Sequence, residues 1–483
     1  MSNLSELIPS GGGQNQVEFV ASGTLPNGKP VILNSDGTVT VVTGSGAAAA
    51  VGAKEVYKTV TTTFDSITML TDTKALVAYR DNTNEVGGAC VLDISGTTVT
   101  AGTAVSFGAN PYLSDVSVAK LSSTKVIVAY TDGSNNDYGT ALILDISGSA
   151  ITVGNTVAFN SSGATQPIAI ASLSSTKAIV SYRDHGNNYY GTAVVLTISG
   201  ASISVASEVV FESANAIHMS TSALSPTQAV VVYADGGNNN YGTSCILSVS
   251  GTTITAGTPV VFESASINNT SVTTLTSTKA IVAYKDVGNS SYGTACILDI
   301  SGSAITAGTP AVFESAATSY TSLTSLSSTV AFVTYQDGGN SNYGTYNTLG
   351  VSGSTITIGN SVVFLASRID GSSSAALTSD KTIIAFRDVS NSSYGTSVAI
   401  QTDTLSTNLT ATNLIGIAAA AASSGATAKI NTWGGINEAQ TSLTIGSDYY
   451  AQTNGTITTA SASPAQRIGT AISATTINMR DLP

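Results

Sequence analysis

"KAIVAYKDVGNSSYGTACILDISGSAITAGTPAVF", Lys279 to Phe313, has a near-copy from Lys177 to Phe211, "KAIVSYRDHGNNYYGTAVVLTISGASISVASEVVF". The shared anchor is an aspartate that closes an apolar strand: "ALVAYRD", "VIVAYTD", "AIVSYRD", "AVVVYAD", "AIVAYKD", "AFVTYQD" and "TIIAFRD". These segments place Asp81, Asp132, Asp184, Asp235, Asp286, Asp337 and Asp388 at gaps of 51 or 52 residues, so the chain carries seven copies. A fixed period near 50 marks a propeller, a solenoid or an array.

Each copy reads as four short strands. In the copy ending at Phe313 they are "SVTTLT", "KAIVAYK", "TACILDI" and "AITAGTPAVF". The runs are β-branched, alternate apolar with polar, and stop at Gly, Asn, Asp or Ser. Four antiparallel strands repeated seven times predict an all-β, seven-bladed β-propeller over residues 49–404, with a linear solenoid as the alternative. The seventh copy breaks off after "TSVAIQT" with no fourth strand. Residues near 53–58, ahead of the first inner strand, are expected to supply it and fasten the ring.

Only 10% of the 483 residues are charged, 42% are hydrophobic, and the net charge is −12. That balance argues against a nucleic-acid partner. The start "MSNLSELIPSGGGQNQ" lacks a signal-peptide pattern, and the most continuous apolar run, "LIGIAAAAA" at 414–422, is too short to span a bilayer. No membrane insertion is expected. Cys90, Cys245 and Cys296 share one register, occupied elsewhere by Leu142, Val194 and Val398. They read as small buried apolar residues rather than as disulfide or zinc ligands.

In a blade of this kind the 2–3 and 4–1 connections share one face. That face carries the longer, variable segments, such as "RDHGNNYYG" between strands 2 and 3 and "ESANAIHM" between strands 4 and 1. It is the candidate binding face. Its candidate residues are Asp132, Tyr138, Asp184, His185, Tyr189, His218, Asp235, Tyr241, Asp286, Tyr292, Asp337 and Tyr343. The repeated Asp reads as a cap for the turn that follows it, with one calcium site per blade as the alternative. The tyrosines before Gly-Thr (Tyr138, Tyr190, Tyr241, Tyr292, Tyr343 and Tyr394) read as packing between blades, with a sugar-stacking platform as the alternative. His185 and His218 read as surface residues on neighbouring blades, with metal or acid–base work as the alternative.

No nucleophile elbow, zincin, P-loop or Rossmann motif occurs. A propeller glycosidase would need a carboxylate pair at the central channel, whereas the acids read as falling at peripheral turns. No catalytic residue, metal or cofactor is expected.

The end segments, 1–48 and 405–483, do not continue the repeat and read as small β structure forming one base. Their phrases "GKPVILNSDGTVTVV", "LIGIAAAAASSGATAKI", "LTIGSDYYAQTNGTI" and "RIGTAISATTINM" resemble terminal β modules of tailed-bacteriophage virion proteins, of the tail-fibre or head-decorating kind. The resemblance implies a non-enzymatic structural protein of the virion, assembled in the host cytoplasm. It implies contact with other virion proteins through the base and a propeller displayed toward a host-surface glycan or protein. A capsid-decorating protein and a soluble glycan-binding lectin are the alternatives. The resemblance is compatible with a homotrimer, although no coiled-coil heptad is present.

Overall fold

The computed structural model describes residues 15–42, 44–45, 49–108, 112–402, 406–407, 409, 412–452, 455–459 and 466–479. Part of one crossing segment, Ala109 to Pro111, and the stretch "QTDTLSTNLTATN" in part lie outside them. Among the described residues the regular elements are strands and short 3-10 turns. The chain divides into two compact units. One is residues 50–402, and the other is built from the two chain ends.

In the larger unit the alternating repeat folds into antiparallel sheets. Lys279–Asp286 pairs with Tyr292–Ser301, with Asp286 opposite Tyr292. On one side, residues 267–276 of Val260–Thr276 complete the inner edge. On the other, Ala304–Ala307 and the start of Ala311–Ser327 form the outer strand. The same pattern builds six more sheets on Lys74–Asp81, Lys125–Asp132, Lys177–Asp184, Gln228–Asp235, Val330–Asp337 and Lys381–Asp388. Turns on one face are tight because the sequence places Gly first in a two-residue link. Gly302, with φ +61°, is one such residue.

A line of serine hydroxyls joins the inner strands. Ser66 Oγ accepts from Val118 N at 3.2 Å and Ser117 Oγ from Ile170 N at 3.2 Å. Ser220, Ser271 and Ser322 repeat the contact to Val272, Leu323 and Ser374. Ser373 Oγ accepts from Ile67 N at 3.1 Å, which returns from the last sheet to the first and closes the ring. The third sheet has Ala169 at this register and no hydroxyl to offer.

Apolar cores lie between successive sheets, each drawing residues from two neighbours. An aromatic ring on each outer strand packs on a ring of the next sheet's second strand. Phe313 meets Tyr335 at 5.2 Å between centroids and Phe262 meets Tyr284 at 5.4 Å. At the join, Tyr57 meets Tyr79 at 5.4 Å. Tyr57 can do this because Ala50–Val51 and residues 55–58 pair with Tyr394–Gln401 as the missing outer strand. Antiparallel sheets in a closed ring, each packed face to face on the next, constitute a β-propeller. The cysteines are buried thiols in these cores, without disulfides.

Two expectations need correction. The fourth strand is interrupted: Gly308 to Pro310 separate its halves, and the same three-residue break recurs in repeats without proline, as at Ala206 to Glu208. The 4–1 segments "ESANAIHM", "ESASINNT", "ESAATSYT" and "LASRIDGS" are not loops. They lie inside continuous strands of 17 residues, Val209–Ser225, Val260–Thr276, Ala311–Ser327 and Val362–Thr378, that run from one sheet's outer edge to the next sheet's inner edge.

The second unit contains two five-stranded sheets. One interleaves both chain ends in the order Gln16–Val20, Thr427–Asn431, Leu414–Ala418, Pro30–Leu33, Val39–Val41. The other uses the C-terminal segment alone, from Ile436–Asn437 to Ile477–Asn478.

Candidate functional site: the channel mouth

The repeated aspartates are committed to their turns. Asp184 Oδ1 accepts from Gly186 N at 2.9 Å, Asp235 from Gly237 N at 2.8 Å, and Asp337 from Gly339 N at 2.9 Å. Asp132 and Asp286 cap Ser134 N and Asn289 N in the same way. The chain then passes through two left-handed residues, such as Asn239 and Asn240, which is why Asn, Ser and Asp fill these turns. Among the described residues no set of three His, Cys, Asp or Glu could hold a metal ion.

Tyr138, Tyr241, Tyr292 and Tyr343 sit opposite those aspartates and close the hairpins, half-buried. The ring-on-ring contacts between sheets are made by other residues, Tyr79, Tyr130, Tyr182, Tyr233, Tyr284 and Tyr335, two positions before each Asp. Those rings are fully buried, so strand alternation turns that register into the interface.

His185 and His218 occupy different places. His185 lies in a hairpin turn, 4.8 Å from the Tyr189 ring, with Arg183 Nη2 3.0 Å from its Nε2. Arg183 also reaches over the Tyr189 ring at 5.5 Å. His218 lies instead on a crossing strand.

The crossings carry the variation. Six inner strands carry, at the bulge just after their first ladder pairs, a residue in left-handed backbone: Phe64 (φ 56°), Asp115 (49°), His218 (50°), Asn269 (50°), Tyr320 (54°) and Gly371 (67°). The third repeat has Pro167 at this register. Seven repeats therefore present seven different residue types at one position. A left-handed backbone is uncommon for Phe and Tyr, and such outliers gather at functional sites. Here the left-handed residue sits in the bulge by which each of these inner strands shifts register against its neighbour. Phe64 is 42% exposed and Tyr320 39%.

Five of these residues, Phe64, His218, Asn269, Tyr320 and Gly371, line a cleft of about 450 Å³ together with Pro167, Asp65, Asp370 and Arg387. Below it, Ser, Thr and Ala line a bore in which Lys120 Nζ reaches Met69 Sδ at 3.1 Å.

Charge at the mouth is arranged in pairs. Arg387 Nη2 donates to Asp370 Oδ2 at 2.5 Å, and Arg368 Nε to its Oδ1 at 3.1 Å. Burial pushes the Asp65 carboxyl up to about 6, although Tyr57 donates its hydroxyl to Oδ1 at 2.7 Å. Burial likewise pushes Asp115 up to about 6 against the charge of Arg183. Burial, and then Arg183, hold His218 below the usual histidine range. The expectation that acids fall only at peripheral turns is therefore overturned, because the crossings carry Asp65 and Asp370 to the mouth.

Of the twelve sequence-derived candidates, His218 alone lines this cleft. Phe64, Asp65, Asn269, Tyr320, Asp370, Gly371 and Arg387 were missed. The available signal was the single register at which all seven copies differ.

No family model and no curated protein matches the chain. Several solved structures are similar to it. A protein of unknown function from Dyadobacter fermentans is 11% identical, with TM-score 0.43, over 60% of this chain and 95% of that one. The Aleuria aurantia lectin, described as a six-bladed β-propeller with a novel fucose recognition mode, is 13% identical, with TM-score 0.40, over 62% and 96%. AofleA from Arthrobotrys oligospora is 8% identical, with TM-score 0.43, over 70% and 95%.

Proposed function

We propose that the chain is a non-enzymatic, glycan-binding protein with a seven-bladed propeller, and that its ligand is held at the channel mouth. The observation that supports this is the ring of crossing residues. A scaffold that repeats its turns, cores and joints almost unchanged lines one opening with six different residue types from six of its repeats. They include exposed aromatic rings beside carboxylates and amides, the mixture that stacks on sugar C–H faces and bonds hydroxyls. The experiment is a glycan array probed with the full chain, paired with nitrophenyl glycosides as substrates. Selective array binding without nitrophenol release is expected. Release of nitrophenol would overturn the non-enzymatic reading, and an array with no binding would overturn the glycan reading.

The likeness of the end segments to phage modules supports a second part of the reading, placement on a virion with the end-built unit as the attachment base. The pairing of Gln16–Val20 with Thr427–Asn431 makes one unit of the two ends, as a base with an inserted display domain requires. Quantitative mass spectrometry of purified particles would test it. A few to a few tens of copies would fit a tail appendage, and hundreds would fit capsid decoration. Absence of the chain would exclude the virion.

A further inference from the structure

The ring at the mouth is uneven, and its gap has a definite place. Gly371 stands between Tyr320 in the sixth repeat and Phe64 in the first, all at the same register. A Cβ at Gly371 would meet nothing within 4 Å, so the space above it is open. The gap is thus flanked along the register by two exposed aromatic residues that line the same cleft. One of them is held in place, since Ser372 Oγ donates to the Tyr320 carbonyl at 2.6 Å.

The cleft's polar groups sit beside this gap. Asp370 and Asp65 offer carboxylate oxygens at the cleft lining. Thr321, 8% exposed, also lines the cleft, and its buried Oγ1 has no hydrogen-bond partner. Arg387, the cation of the cleft lining among the described residues, is already engaged with Asp370. Arg368 and Arg387 share the Asp370 carboxylate, and with Asp65 the charges about the cleft balance, so no net charge there selects an anion. The cleft's volume lies within the range of roughly 300–1,000 Å³ usual for small-ligand sites.

We propose that the slot over Gly371, between Tyr320 and Phe64, is the primary subsite and takes one ring of a neutral sugar, held by aromatic stacking and by hydroxyl bonds to Asp65 and Asp370. The proposal rests on the glycan-binding reading and specifies its place and ligand class. It excludes uronic and sialic acids as preferred ligands. It also makes six of the seven blades accessory, because one gap among seven residues gives one site per chain.

Calorimetric titration of the full chain tests it, with methyl glycosides of neutral hexoses, 6-deoxyhexoses and N-acetylhexosamines, and with methyl glucuronide and sialic acid as acidic probes. At least one neutral glycoside should bind at a stoichiometry of one. Gly371→Tyr should weaken that binding by about tenfold or more by filling the slot. The register already holds Tyr at position 320 with φ 54°, so the variant should still fold, with a melting temperature lowered modestly by the side chain in left-handed backbone. Tyr320→Ala removes a wall instead of filling the gap and should weaken binding similarly. Tyr189→Ala, out on a hairpin turn, should leave it unchanged. Binding that survives Gly371→Tyr, or that fails with Tyr189→Ala, would overturn the subsite while leaving glycan binding intact. A preference for the acidic sugars would overturn the ligand class. Binding of no sugar would remove the glycan reading itself, and the subsite with it.

Discussion

At the residue scale the repeated serine is a joint. Ser271 Oγ accepts a backbone N–H of the next inner strand at 2.9 Å. Ser271→Ala should therefore cost about 0.5–1.5 kcal/mol in chemical unfolding. Ala169→Ser places the hydroxyl where the third joint lacks it, and should stabilise by a smaller amount or leave stability unchanged. The same comparison tests the aspartates. Asp235→Ala should cost about 1 kcal/mol through the lost cap, and a chelator should not move the melting temperature. A chelator-induced drop would instead restore a calcium role. Acids at the mouth make stability depend on pH. Asp65 and Asp115 hold protons in the folded chain up to about 6, whereas the unfolded chain releases them near 3.8. Their raised values mean that the native state binds more protons between those limits, so stability falls as pH rises through that window. Unfolding of Asp65→Asn/Asp115→Asn should show a flatter profile from pH 4 to 7, by on the order of 1 kcal/mol per group. An unchanged slope would contradict the burial of these carboxyls. The turn role of Asp184 or Asp337 was legible in the sequence, because an Asp before Gly and Asn has a local reason to be there. The role of Phe64 or Tyr320 was not, since nothing local distinguishes a left-handed Phe from a loop Phe.

At the element scale the unit is the strand that crosses between sheets. Reading "ESAATSYT" as a loop followed from its Ser and Thr content, which strands also tolerate when one side meets solvent. The structure carries it as one strand, bulged at Tyr320, from the outer edge of one sheet to the inner edge of the next. The reason is pairing on both flanks: residues 311–317 bond Tyr292–Ser301, and residues 318–327 bond Val330–Asp337. Strand order and the outer-strand join near residues 53–58 were legible because the period was fixed and the missing copy conspicuous. The break at Gly308 to Pro310 was not legible from the proline, because the third repeat breaks at the same register with Ala206 to Glu208. Packing at the outer strand has a sharp test. A Cβ at Gly293 would lie 2.4 Å from the Phe313 ring. Gly293→Ala should destabilise by about 1–3 kcal/mol as the ring is displaced from Tyr335. A neutral substitution would show that the outer strand yields freely.

At the scale of the whole molecule the ring depends on its join. Ala50–Val51 and residues 55–58 close the seventh sheet, Tyr57 caps the first sheet's Tyr79, and Ser373 holds Ile67. Removing residues 50–58 should leave a three-stranded seventh sheet, expose the Tyr79 ring and lower the unfolding temperature of the whole propeller rather than of one blade. A small, local loss by hydrogen exchange would contradict that cooperativity. Closure also explains why the variable residues can act together. Each crossing residue is fixed by its own sheet, and the ring brings them round one opening, so positions hundreds of residues apart in the sequence face a common cleft. That convergence has no local signature, which is why the scaffold could be read from the repeat and the site could not. The most direct test is a crystal structure of the chain with the tightest-binding neutral glycoside from the titration. The account predicts a sugar ring over Gly371, between Tyr320 and Phe64, with hydroxyls on Asp65 or Asp370. Density for the sugar at the hairpin turns near Tyr189, with the mouth empty, would contradict it.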